Sequence, residues 1–128
     1  MSIQQIVTKP DPYAPYLLSQ GIRIGDLLLV SGQVGIDDQG ELVSLDDFEV
    51  QADQALRNLS AVLEAGGSSL DRVVKVTIFL TDMAANFPQV VELRRRWFTP
   101  PYPADTIVQV QSLYRPEVMF EIEAIAVA

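Results

Sequence analysis

With 128 residues, 48% of them apolar, the chain is long enough for one domain with a well-filled core. It holds no histidine and no cysteine, which excludes imidazole acid–base work, thiolate nucleophiles, disulfides and metal sites built on those ligands. A net charge of −8 opposes nucleic-acid binding, where a basic stripe must release phosphate counterions.

The first 16 residues carry Pro10, Pro12 and Pro15 and are expected to form an irregular arm. "LLSQGIRIGDLLLVSGQV" (17–34) gives two apolar runs broken at Gly25-Asp26, a hairpin signal. "DDQGELV" (37–43) is a second turn in which Gly40 is free to take positive φ. The period then changes. Ala52, Ala55, Leu56, Leu59, Val62 and Leu63 recur at three and four, marking one face of a helix of about 17 residues. Asp46 and Glu49 have capping-box spacing at its start, and Gly66-Gly67 supplies the stop. "VVKVTIFLTD" (73–82) is β-rich throughout, as an interior strand would be. "NFPQVVELRRRWF" (86–98) reads as a second helix, opened by Asn86 and Gln89 and ended by Pro100-Pro101. Its apolar stripe is Phe87, Val90, Val91, Leu93, Trp97 and Phe98, and Arg94-Arg95-Arg96 is expected to be a solvated face near its C-terminus. Two strands, 106–113 and 118–128, close the chain.

The predicted order is β-β-α-β-α-β-β, an α+β layer with both helices on one face of a mixed sheet. The uncovered sheet face makes oligomerisation the expectation. No apolar run approaches the ~20 residues of a membrane span, and no basic-plus-apolar leader is seen, so a soluble, cytoplasmic protein with no membrane partner is expected.

Three places are candidates for chemistry. Glu121 and Glu123 share one face of the last strand, roughly 6–7 Å apart, opposite Phe120, Ile122, Ala124 and Ala126. Two carboxylates among apolar neighbours suit either a solvated face or a cleft that positions water or an amine. "SGQ" (31–33) puts a hydroxyl, a flexible backbone and an amide at the end of the second strand, and Tyr16 can bring a phenol to the same rim. Asp105 sits at a strand entrance, between Pro103-Ala104 and Thr106-Ile107, where a carboxylate is either a turn residue or faces a pocket.

"DPYAPYLLSQGIRIGDLLLVSGQV", "VLEAGGSSLDRVVKVTIFLTDM", "RRWFTPPYPADTIVQV" and "FEIEAIAVA" resemble the Rid family of reactive intermediate deaminases, formerly the YjgF family, over nearly the whole chain. The resemblance implies a chorismate-mutase-like α+β fold and a homotrimer with three intersubunit clefts. It also implies hydrolysis of reactive enamines and imines, such as 2-aminoacrylate, with no cofactor and no metal. It marks Glu121, Tyr16 and Ser31 as catalytic and places Gly32, Gln33, Val91, Asp105 and Thr106 at the substrate. The family's Gly-Pro-Tyr is here Ala14-Pro15-Tyr16, and its helix-two asparagine falls at Val91. The deaminating members read Pro-Ala-Arg-Ser/Thr where this chain reads Pro103-Ala104-Asp105-Thr106. That arginine is a two-pronged donor for the substrate carboxylate. An aspartate there would repel it by roughly 4 kcal/mol at ~4 Å and an effective dielectric near 20.

Three functions are therefore weighed. The first is a Rid-type hydrolase of an imine, enamine or related C–N compound, with specificity altered by Asp105. The second is a non-catalytic trimer that binds a small ligand or a partner in the same clefts. The third is ribonuclease activity, which the acidic charge and missing histidine disfavour. Arg94 and Arg115 are candidates to replace the missing arginine, each set against a plain surface charge.

Overall fold

In a computed structural model of the protein, which describes residues 2–128, the β-rich segments join one six-stranded mixed sheet. The strands are β1 (Ile3–Ile6), β2 (Gly21–Ile24), β3 (Leu27–Gln33), β4 (Val73–Leu80), β5 (Ala104–Gln109) and β6 (Phe120–Val127). Their spatial order is β1-β2-β3-β6-β4-β5, with β4 and β5 parallel and the other neighbours antiparallel. Two helices, α1 (Phe48–Ala65) and α2 (Met83–Trp97), connect β3 to β4 and β4 to β5.

Strand alternation decides which face is covered. Leu28 and Val30 of β3, Val76, Ile78 and Leu80 of β4, and Phe120, Ile122, Ala124 and Ala126 of β6 are buried together with Ala52, Leu56, Leu59 and Leu63 of α1 and Val90 and Leu93 of α2. The opposite face leaves Leu27, Leu29, Val74, Val108 and Val127 exposed. Among the buried polar side chains, Gln51 ties the core to two loops. Gln51 is fully buried, its Nε2 donating to the carbonyls of Ser44 and Glu117 (2.9 and 2.8 Å) while its Oε1 accepts from Met119 N (2.9 Å). It stitches the loops before α1 and before β6 to the same helix.

Several boundaries differ from expectation. The expected irregular arm contains β1, paired with β2 from Ile3↔Ile24 to Ile6↔Gly21. The prolines all lie after it, so nothing prevents "IQQI" from donating to a waiting edge. α1 is capped by Asp47, one residue after the expected Asp46, with its carboxylate accepting from Val50 N at 3.1 Å. Its far end matches the glycine stop: Ser68 N donates to Leu63 O, Gly67 N to Glu64 O, and Gly67 takes φ 88. α2 starts at Met83 rather than at Asn86, because Asp82 accepts from Ala85 N and caps it. Pro88 then falls inside the helix, and Asn86 donates to Gln89 within it instead of capping. The expected apolar stripe of α2 is narrower: Phe87 and Val91 are exposed.

The arginine cluster is not a merely solvated face. Arg95 pairs with Glu92, Arg96 donates to Asp53 of α1 at 2.8 Å, and Arg94 reaches β5. Among the described residues no helix is long and apolar enough to cross a membrane.

Candidate active site

The register of β3 against β6 shifts between Val30 and Gln33. Val30 pairs with Ala124 and Gln33 with Ile122, so Ser31 and Gly32 together oppose the single residue Glu123. This is a β-bulge, a device that re-aims side chains beside sites. At the bulge Gly32 lets the backbone meet Glu121: an added Cβ would stand 2.7 Å from Glu121 Cδ and closer still to Oε2. Gln33 is buried and donates to Ser31 O, and Ser31 Oγ donates to Ser19 O at 2.6 Å. These two side chains hold the bulge in place rather than face the space in front of it.

That space is a cavity of about 270 Å³ whose walls include Tyr13, Tyr16, Gly32, Val34, Tyr114 and Glu121. The chain reaches it through a compact turn. Asp11 Oδ1 accepts from Tyr13 N, Tyr16 N donates to Tyr13 O, and Leu17 closes the Ala14–Tyr16 3-10 turn in the left-handed region at φ 64. Tyr13 is buried and its hydroxyl donates to Gly32 O at 2.5 Å. Burial, with the nearby Glu121 adding to it, pushes its phenol well above the ordinary range, so it stays protonated. Glu121 is half-buried, and burial also raises its carboxyl above the ordinary 4.5, with Glu123 adding like-charge repulsion. A carboxyl shifted this way holds a proton closer to neutral pH than a surface glutamate does.

The candidates from sequence therefore divide. Tyr16, Gly32 and Glu121 meet in one cavity, with Ser31 and Gln33 behind it. Asp105 lies elsewhere. In the parallel register it pairs with Val76, hence on the helix-covered side of the sheet, whereas Glu121 pairs with Phe79 on the open side. Asp105 lines a second cavity of about 460 Å³ with Phe87, Phe98, Tyr102 and Arg94. Its two oxygens accept from Arg94 Nε and Nη2, each at 2.9 Å. It lines a cavity separate from that of Glu121, and its charge is already matched there. Thr106 points to the open face and accepts from Lys75 Nζ at 2.6 Å, Val91 is exposed on α2, and Arg115 pairs with Glu117 at 3.4 Å. Two wall residues escaped the sequence, Tyr13 and Tyr114. The repeated Pro-Tyr of "DPYAPY" was a signal for the first; nothing local marks the second.

Fold and site together define a small α+β protein with a carboxyl cavity at a sheet bulge, and known proteins share the fold. The family described as Endoribonuclease L-PSP matches residues 7–128. The chain is 42% identical over 118 residues to a RutC family protein of Pyrococcus horikoshii, covering 91% of this chain and 90% of that one. It is 40% identical over 119 residues to the 2-iminobutanoate/2-iminopropanoate deaminase of Mus musculus, covering 92% and 84%. The crystal structure of a Rid family protein of unknown function from Yersinia pestis superposes with a TM-score of 0.91 at 36% identity, covering 99% of this chain and 100% of that one. The chain belongs to the Rid (YjgF, L-PSP) family.

Proposed function

We propose that the protein is a cofactor-independent, Rid-type hydrolase of an imine, enamine or related C–N compound, working in the cytoplasm as a homotrimer. The observation that carries this is Glu121: a carboxyl with a raised pKa in a tyrosine-walled cavity, in a chain with no histidine or cysteine to do the same work.

In this mechanism the substrate enters as its iminium and meets Glu121 as a carboxylate. The carboxylate takes a proton from water as the water oxygen bonds to carbon, forming a carbinolamine. The proton then passes to nitrogen and the C–N bond breaks. The remaining hydroxyl proton returns to Glu121, leaving a carbonyl product and ammonia or an amine. Tyr16 orients the substrate at the rim, and Tyr13, fixed protonated on Gly32 O, keeps the bulge and the carboxyl in register.

Specificity differs from that of the named deaminases. Asp105 with Arg94 forms a neutral pair, not a free cation for a carboxylate. The exposed Leu27, Leu29 and Val127 offer an apolar face through which a homotrimer would pack. A substrate without a carboxylate fits this arrangement. The test is carbonyl release from carboxylate-free imines generated enzymatically, with wild type, Glu121→Gln and a buffer blank. Wild type should accelerate release, and Glu121→Gln should lose roughly 10²–10⁴ of that rate. Wild-type rates equal to the blank across the panel would favour the non-catalytic, ligand-binding trimer instead.

A further inference from the structure

We infer that the cavity beside Glu121 selects a cationic nitrogen, a small ammonium or iminium group held between three tyrosines and matched by one carboxylate. This rests on the same site as the proposed hydrolase and names the charge of what enters it.

Tyr13, Tyr16 and Tyr114 reach the cavity from two separate stretches of chain: Tyr13 and Tyr16 from the compact turn after Asp11, and Tyr114 from the segment between β5 and β6. Aromatic rings carry negative faces, and several around one space recognise organic cations. Glu121 is the one formally charged residue on the wall, and among the described residues lining the cavity there is no lysine or arginine. Glu123 adds negative charge beside Glu121, and Asp11 does so beside Tyr13. The cation nearest the wall, Arg115, acts on Tyr114 but is itself paired with Glu117 at 3.4 Å.

Other occupants fit less well. A carboxylate would meet Glu121 as a like charge. A neutral apolar group would leave that carboxylate desolvated without a partner. A hard metal ion needs several oxygen ligands, and among the described residues no cluster of three or more metal-ligating side chains exists. An organic cation meets both parts of the wall, the rings through cation–π attraction and the carboxylate through charge. At about 270 Å³ the space takes a head group rather than a large ligand.

The experiment is calorimetric titration of the intact protein with choline and with 3,3-dimethylbutan-1-ol, which has the same shape and no charge. Choline should bind at least roughly tenfold more tightly than the alcohol. Tyr114→Leu should weaken choline by roughly 2- to 30-fold and leave the alcohol unchanged, whereas Tyr114→Phe should stay within about twofold of wild type. Equal affinities for the two probes, no choline binding up to roughly 10 mM, or a Tyr114→Leu effect common to both overturns the inference. Neither probe reacts, so the outcome is independent of turnover. A protein that separates the probes but hydrolyses nothing keeps this inference and loses the hydrolase. The reverse result keeps the hydrolase and loses the cation site.

Discussion

Cutting Asp105 back to alanine should unmask a carboxylate-binding site that the wild type keeps closed. Arg94 and Asp105 meet through two parallel bonds of 2.9 Å, with side chains 27% and 20% exposed. At charge centres ~4 Å apart and an effective dielectric near 20, the attraction is about 4 kcal/mol before solvent and side-chain entropy are counted. For a partly exposed pair the net contribution is about 1 kcal/mol, so Asp105→Ala should stay folded with a melting temperature only a few degrees lower. A freed guanidinium then offers a ligand carboxylate charge-assisted hydrogen bonds worth about 1.5–3 kcal/mol. Asp105→Ala should therefore bind 2-oxobutanoate roughly tenfold to hundredfold more tightly than wild type, read by calorimetry, and Asp105→Ala/Arg94→Met should lose the gain. Asp105→Arg is a poorer rescue than sequence comparison suggests, since it sets two guanidiniums side by side. Equal 2-oxobutanoate affinity in wild type and Asp105→Ala, or a gain that survives removal of Arg94, would refute the masking.

Sedimentation at micromolar concentration should give a trimer, and Leu29→Glu on the open sheet face should shift it to smaller species; a stable wild-type monomer would remove the shared cleft. Gln51→Leu should destabilise the fold by about 2–4 kcal/mol in urea titration, because two carbonyls and one N–H lose their buried partner together; a change below about 0.5 kcal/mol would contradict that. Glu121 has a folded pKa above its unfolded value, so the stability tied to its protonated form is complete below about 4.5 and is lost as pH rises through the folded value. Glu121→Gln should accordingly gain on wild type in melting temperature as pH rises from 4.5 and then level off; a gap independent of pH would count against the raised carboxyl. Gly32→Ala should displace the flexible end of Glu121 rather than unfold the chain, lowering activity roughly 100-fold with little change in melting temperature.

How far the sequence could carry these conclusions depended on whether a feature is local or a meeting of distant segments. The apolar periods of α1 and β4 are local, and both elements lie within a residue or two of where spacing puts them. β1 is not local. "IQQI" has one buried side chain, and it is a strand because β2 presents an edge to it. The start of α2 differs because Asn86 and Gln89, with capping-box spacing, point to a late beginning, while the short side chain of Asp82 decides it. The same division runs through the site. Tyr16, Gly32 and Glu121 could be read as candidates from motif and alternation, since a bulge and a strand face are sequence patterns. Tyr114 joins them only because the segment before β6 folds back over the bulge. Asp105 shows the limit most clearly. Its charge was legible, but the pairing was not, because the partner that offsets it stands eleven residues earlier on another element. A charge reversal read along one chain thus predicts repulsion, whereas the folded pair predicts a closed site that opens when the acid is removed.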